Sequence, residues 1–323
     1  MRYNAAYAAF AKSLGFDCER VPSTWREIPA VPSLAFKEAT MTTFEPADAV
    51  ATFQTSGTTQ GFSGRHLFEP SSLALYDAAL LAGFDRFVLA DAATLRYLLL
   101  VPQRASSSLG YMMRRVASSR GDGQGGSYLD EGADDLDAGR FLHDAARAYE
   151  QNVPVCIAGT AFAFVALLDA LDGRQVRTRA GSRVMETGGF KGRTRSISRS
   201  ELYARLSEAL GIASRDIVAE YGMTELTSQY YDSPATRAGD RRKTGPPWLR
   251  ALVLGADGKE VAAGEVGVLR HVDLANRGSV IAIDTEDLAM RAENGEFVLL
   301  GRDAAAPARG CSLDAEDLLA RRG

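Results

Sequence analysis

Cysteine is scarce: Cys18, Cys156 and Cys311 are the only three in 323 residues. They lie far apart, with no C-x-x-C pair and no histidine at ligand spacing, which excludes a disulfide framework and leaves no zinc pattern. Histidine is equally rare, and His66, His143 and His271 are isolated from one another, so each reads as a structural residue before a catalytic one. No run of 18 apolar residues occurs, which excludes a helical membrane span. The opening "MRYNAAYAAFAKSLGF" spaces its apolar residues for a helix but lacks the apolar core and cleavage site of a signal peptide. Basic blocks are also missing: the net charge is −4 and the arginines are scattered, which gives no footprint for a nucleic-acid partner. The expectation is a cytoplasmic globular protein.

What the chain does have is apolar material, 46% hydrophobic against 24% charged residues, enough for a substantial core in one large domain or two medium ones. After the first helix, the proline-punctuated "VPSTWREIPAVPSLAF" predicts an extended surface segment. "RYLLLVP" (residues 96–102) and "VPVCIAG" (153–159) are short buried-strand candidates, and "AFAFVALLDAL" after the second has helical periodicity. Alternation of this kind predicts βα units on a parallel sheet. From Trp248 onward, "WLRALVLGADGKEVAAGEVGVLRHVDL" alternates apolar and polar residues around turns and predicts a β-meander. The segment "SSRGDGQGGSYLDEGADD" reads as a loop. Its Gly121, Gly123 and Gly126 form a G-x-G-x-x-G, but a dinucleotide site needs a strand directly before it and a helix directly after, and "RRVASSR" and an acidic stretch stand there instead.

Four stretches can carry chemistry. In "TSGTTQGFSG" (55–64) glycines let successive N–H groups converge and Thr55, Ser56, Thr58 and Thr59 add hydroxyls, which suits an anion, although such a stretch taken alone is more often a plain turn. In "VAEYGMTELTSQYY" (218–231) a strand ends at Gly222 before Thr224 and Glu225, and a carboxylate beside a phosphate loop can hold Mg²⁺; an exposed glutamate opening a helix is the plainer reading. In "METGGFKGR" (185–193) paired glycines admit a flat ring, Phe190 can stack on it, and Lys191 and Arg193 are cations for a phosphate. In "DTEDLAMR" and "GRDAAAPARGCSL", Asp287 can accept from a ribose diol with Arg302 beside it.

In this order the four stretches resemble the motifs of the adenylate-forming (ANL) enzyme superfamily, which joins a carboxylate to AMP. The resemblance is closer to its acyl-protein synthetase (LuxE-like) branch, which activates fatty acids for the reductase complex of luminous bacteria. "VPSLAFK", "SSSLGYM", "METGGFKGR", "YGMTELTSQYY", "DLANRGSVIAIDTEDLA" and "ARGCSL" carry it across nearly the whole chain. It implies an α/β fold, the superfamily's large N-terminal domain with layered sheets and a β-rich C-terminal portion, lacking the usual small C-terminal domain. Residues 1–300 would be the adenylation domain, with 1–50 as N-terminal helix and lead-in, and 301–323 a tail carrying the acceptor cysteine. ATP and Mg²⁺ are the implied cofactors. Thr55, Ser56, Gly57, Thr58 and Thr59 would hold the ATP phosphates, and Gly188, Gly189 and Phe190 would border the adenine or the acyl group. Tyr221 and Thr224 would line the adenylate, Glu225 would hold Mg²⁺, Asp287 and Arg302 would bind the ribose, and Cys311 would receive the acyl group.

Adenylate-forming enzymes bring a lysine to the first step on their small domain. With that domain expected to be absent, Lys191 is the first candidate for the missing charge and Lys37 in "AFKE" the second. The implied activity is ATP-dependent acyl-protein synthesis from a fatty or aromatic carboxylic acid, with an acyl reductase as partner. Ligation to coenzyme A, a carrier protein or an amine is the alternative, and a nucleotide-binding regulatory subunit without turnover is a third reading.

Overall fold

The computed structural model describes residues 4–17, 19–55, 63–89, 94–101, 103–129, 136–188 and 197–302. The helices among them are α1 (Ala5–Ser13), α2 (Ala35–Glu38), α3 (Pro70–Phe84), α4 (Ser108–Arg120), α5 (Ala138–Glu150), α6 (Ala161–Leu171) and α7 (Arg199–Leu210). The strands are β1 (Val31–Pro32), β2 (Ala51–Gln54), β3 (Arg65–Phe68), β4 (Arg96–Leu100), β5 (Gly126–Ser127), β6 (Val155–Thr160) and β7 (Arg183–Thr187). They continue with β8 (Ile217–Tyr221), β9 (Tyr230–Asp232), β10 (Lys243–Thr244), β11 (Leu249–Leu254), β12 (Val266–Asp273), β13 (Ala282–Arg291) and β14 (Phe297–Arg302). None of these helices is long and apolar enough to cross a membrane. The chain divides into two compact units, each made of separate stretches of sequence: Leu81–Gly222 with Tyr231–Arg241, and Met1–Leu80 with Met223–Tyr230 and Arg242–Gly323.

The Leu81–Gly222 unit is the expected βα region. Its strands run parallel in the order β5-β4-β6-β7-β8. All five residues of β4, β7 and β8 are buried, which is why these segments read as continuous apolar or mixed runs rather than alternating ones. Helix α5 turns Phe141, Ala145 and Ala148 inward at helical spacing, and its N-terminus is closed by Asp137, which accepts from the Arg140 N–H at 3.0 Å. Helix α7 opens on a Ser198-x-x-Glu201 box and stops at Gly211, whose φ of 63° is left-handed. The core joins Leu98, Ile157, Phe164, Leu167, Leu206 and Ile217.

The glycine-rich stretch after α4 is structural. A helix precedes it and β5 follows it, the reverse of a dinucleotide fingerprint. A Cβ at Gly121 would lie 2.4 Å from the Ala117 carbonyl oxygen, and one at Gly125 would lie 2.0 Å from that of Tyr97. Asp122, between them, accepts from Nη2 of the buried Arg96 at 2.7 Å, and the Gln151 side-chain oxygen accepts from the same nitrogen at 2.7 Å. Residues 121–129 stay irregular apart from β5, as a loop reading expects, but close strand packing and the Arg96–Asp122 ion pair order their backbone. Residues 130–135 lie outside the described residues.

The other unit contains the expected meander. Strands β11, β12, β13 and β14 pair antiparallel in sequence, with β10 on the far side of β14. Strand β14 covers Asp287–Arg291 of β13, and β1 pairs parallel with the remainder, Val31 facing Ile283 and Pro32 facing Asp284. The surface reading of "VPSTWREIPAVPSLAF" holds for residues 21–28, most of which are exposed, and fails from Pro29 onward. Residues 29–32 are buried because they complete the β13 edge, while the sequence showed only the prolines. Strands β2 and β3 form a separate hairpin whose Phe53 and Phe68 pack with Tyr76 at 5.3–5.8 Å between ring centroids.

Gly159, near the end of β6, has no room for a side chain: a Cβ would lie 2.7 Å from the Leu100 Cβ and 2.9 Å from its carbonyl oxygen. Gly159→Ala should lower stability by about 1–3 kcal/mol, as overpacking does. The check is a shift of the urea midpoint with an unchanged slope.

Candidate functional site

Within the first-described hairpin, Phe53 faces His66 and Gln54 faces Arg65, so the hydroxyl-glycine stretch is the connection between β2 and β3. The hairpin is closed by two bonds: the Thr55 N–H donates to the Gly64 carbonyl at 2.9 Å, and the Gly64 N–H donates to the Thr55 hydroxyl oxygen at 2.8 Å. Thr55 is thus a clasp whose hydroxyl proton is still available to an acceptor. Ser56, Gly57, Thr58 and Thr59 lie outside the described residues. Helix α2 sits beside the clasp, with the Lys37 Cγ 3.4 Å from where a Cβ on Gly64 would lie. Its neighbour Phe36 meets the His66 ring edge-on at 5.9 Å.

Thr224 and Glu225 occupy an irregular turn after β8, and Glu225 is buried. The plainer expectation, an exposed glutamate opening a helix, is wrong on both counts. The backbone of the turn is held by side chains from distant segments. The Thr224 carbonyl accepts from His66 Nδ1 at 2.8 Å, and the Glu225 carbonyl accepts from Asn276 Nδ2 at 2.8 Å. Asp273 accepts from the N–H groups of Thr227 and Ser228 at 3.0 and 2.8 Å and from the Ser228 hydroxyl at 3.0 Å. A carbonyl can only accept, so the proton of His66 sits on Nδ1. The sequence reading missed these three residues as a group. In the sequence His66 is an isolated histidine, and "DLANRGS" gives no role to Asp273 or Asn276.

Asp287 is half-buried on β13, and its N–H donates to the Thr285 hydroxyl at 3.1 Å. The Cα positions of Asp287 and Arg302 stand opposite each other in the β13–β14 register, so the two proposed ribose residues come together although 15 positions separate them. The negative charge of Asp287 also reaches His271, a buried histidine whose Nδ1 lies 3.1 Å from the Tyr230 hydroxyl.

In the Leu81–Gly222 unit, β7 and β8 run side by side, with Thr187 facing Glu220 and their side chains hydrogen-bonded. Gly188 follows at the carboxyl end of β7 with a φ of 76°, and Tyr221 is buried at the end of β8. Both lie where open parallel sheets bind ligands. Glu186, buried two positions before Gly188, accepts from the Tyr203 hydroxyl at 2.9 Å and lies 3.8 Å from Arg199. Gly189, Phe190 and Lys191 lie outside the described residues, as does Cys311. Cys156 is buried, and burial pushes its thiol up to about 12, which makes it inert.

Among the described residues no group of three or more His, Cys, Asp or Glu side chains could hold a metal by itself. A single buried carboxylate fits Mg²⁺ only as a partner to ligand phosphates and water, which is how that ion prefers to bind.

No protein-family model and no curated protein matches the chain. Solved structures do. A 2-hydroxyisobutyryl-CoA ligase in the postadenylation state, in complex with 2-HIB-AMP, is 12% identical over 98% of this chain and 69% of its own, with a TM-score of 0.71. ATP-bound MatB from Rhodopseudomonas palustris is 18% identical over 80% of this chain and 49% of its own, at 0.57. O-succinylbenzoate coenzyme A synthetase (MenE) from Bacillus subtilis, in complex with ATP and magnesium ion, is 17% identical over 82% and 52%, at 0.55. The chain has the fold of the adenylate-forming enzymes. It spans about half the length of the MatB and MenE chains, and at these identities the likeness is one of fold.

Burial pushes both His66 and His271 down to about 4. A histidine whose folded value lies below its unfolded 6.5 adds stability that is complete above pH 6.5 and is lost as pH falls toward 4, here roughly 3 kcal/mol each. Asp273 has the opposite sign, since burial raises it to about 6 and its contribution grows as pH falls below that value. The net expectation is a fall in stability between pH 6.5 and 4. In His271→Gln that fall should shrink to half or less, measured by urea unfolding across the range.

Proposed function

We propose that the protein is an ATP-dependent carboxylate-activating ligase of the acyl-protein synthetase type. The observation that carries the reading is the arrangement within one unit of a clasped hairpin around the hydroxyl-glycine stretch, a buried Glu225 turn tied to that hairpin through His66, and Asp287 opposite Arg302. The adenylate-forming fold supports it, and so do fold neighbours described as bound to ATP, to ATP with magnesium, and to an acyl-AMP.

In the first step an oxygen of the carboxylate substrate attacks the α-phosphorus of ATP. The bond to the β-phosphate oxygen breaks, pyrophosphate leaves with that electron pair, and a mixed acyl-phosphate anhydride remains. The protein's part is charge and position. Thr55, Ser56, Gly57, Thr58 and Thr59 offer hydroxyl and N–H donors to the phosphates, and Thr224 and Tyr221 line the adenylate. Gly188, Gly189 and Phe190 border its ring or the acyl chain, and Asp287 with Arg302 holds the ribose. Mg²⁺, held by Glu225, would supply charge neutralisation at the phosphates. Lys191 is our first choice for the further cation. Lys37 is the second, and its stem lies beside the Gly64 clasp.

In the second step the Cys311 thiolate attacks the acyl carbonyl, AMP departs, and the thioester is ready for an acyl reductase. We assign residues 301–323 the role of acceptor segment and residues 1–300 that of adenylation domain. Ligation to coenzyme A is the second reading, favoured by the CoA ligase and CoA synthetase among the fold neighbours.

Carboxylate-dependent exchange of labelled pyrophosphate into ATP, across a panel of fatty and aromatic acids, tests adenylation. Exchange with at least one acid is expected, together with a loss of about 100-fold or more in Glu225→Gln; no exchange with any acid rejects the ligase and favours a nucleotide-binding subunit. Hydroxylamine-sensitive acyl label on the protein, absent in Cys311→Ser, is expected for the acyl-protein type. Unchanged label in that variant, or release of acyl-CoA instead, would favour the second reading.

A further inference from the structure

His66 joins three of the signature segments. It lies on the strand that leaves the hydroxyl-glycine stretch, its ring meets Phe36 of "AFKE", and its Nδ1 donates to the carbonyl of Thr224 in "YGMTE". Asn276 donates to the Glu225 carbonyl at 2.8 Å and the Val280 carbonyl at 2.9 Å, and accepts from the Thr227 hydroxyl at 2.9 Å. Asp273, three residues earlier, binds the next two N–H groups of the turn and that of Ala275 at 3.0 Å. Trp248 Nε1 donates to the Ser228 hydroxyl at 3.0 Å and finishes the set.

Two features separate this network from ordinary loop packing. All three side chains are buried, and each bonds to the main chain of the turn, so together they fix the backbone carbonyls of residues 224 and 225 and the N–H groups of 227 and 228. A buried polar set of this size is costly to desolvate and specifies one geometry where apolar packing would tolerate several. The geometry it specifies is the position of the Glu225 turn relative to the hairpin that closes the hydroxyl-glycine stretch.

We propose that His66, Asn276 and Asp273 form a positioning clamp that holds the Glu225 turn in register with the Thr55–Gly64 clasp of the hairpin, so that a magnesium–nucleotide complex meets the carboxylate and the Thr55 hydroxyl together. The inference rests on the reading of Glu225 as the carboxylate that serves the metal. Outer-shell groups that orient a ligand typically change metal affinity by about 10–100-fold when removed. A purely structural network would lower stability equally with and without metal.

The test uses the full chain and ATP as probe, following the rise in Tm as Mg²⁺ is titrated, with ATP in chelator as the metal-free reference. In Asn276→Ala the Mg²⁺ needed for half the metal-dependent rise should increase about tenfold or more, while the metal-free response to ATP stays within about twofold. A folded Asn276→Ala with an unchanged Mg²⁺ midpoint overturns the clamp. If that variant gives no cooperative melt, Thr227→Val, which deletes only the hydroxyl donated to Asn276, decides the matter: a raised midpoint supports the clamp and an unchanged one overturns it. Glu225→Gln separates the two ideas. A midpoint unmoved by Glu225→Gln rejects the metal reading and the clamp with it, whereas a midpoint moved by Glu225→Gln but not by Asn276→Ala rejects the clamp alone.

Discussion

A stretch of backbone that is buried yet belongs to no helix or strand must find partners for its N–H and C=O groups elsewhere, because leaving them unpaired costs as much as the hydrogen bonds themselves. The turn after β8 is such a stretch. It follows a fully buried strand and must return the chain to β9, and within these few residues it places a buried glutamate. Regular structure cannot supply the partners, so side chains do: an imidazole from the hairpin, a carboxylate from the end of β12 and an amide three residues beyond it. The hairpin, the turn and the meander that make up one unit are thereby tied together at one polar centre, around which Phe36, Phe68 and His66 pack their rings.

Such a centre explains why the site residues come from segments so far apart in sequence. His66 and Thr224 are separated by 158 positions, and Thr227 and Asn276 by 49. Each segment brings one small element of chemistry and one or two side chains that dock it onto the others. The chemistry alone is weak at each place. A threonine beside a glycine or a lone carboxylate occurs in countless turns, and only their joint placement sets the proposed polyphosphate and metal site apart from these.

The legibility of the sequence followed this division. Parallel strands buried on both faces announced themselves as β4 and β6, the helix after β6 had its period, and the late meander showed its alternation, because local pattern follows directly from which faces are covered. Asp287 and Arg302, named together from the sequence, stand opposite each other in the β13–β14 register, which gives their position and not their role. The docking residues were illegible for a physical reason: His66, Asp273 and Asn276 act on main-chain groups far away in sequence, which leave no mark in side-chain pattern. Residues 29–32 misled for a related reason. Prolines signal the absence of a local donor, but they do not tell whether a strand edge waits elsewhere to cover them.

The pairing of β1 with β13 has a further consequence, for the order in which the chain acquires its structure. Val31 meets Ile283 only after some 250 further residues have left the ribosome, whereas the Leu81–Gly222 unit has every one of its parallel strands once residue 221 is made. Contacts of such sequence separation form late because of the loop that must close first. During synthesis the apolar segment around Val31, and the aromatic hairpin that follows it, therefore wait with their intended cover still unmade. This is a window in which chaperones have a reason to bind and truncated products a reason to aggregate.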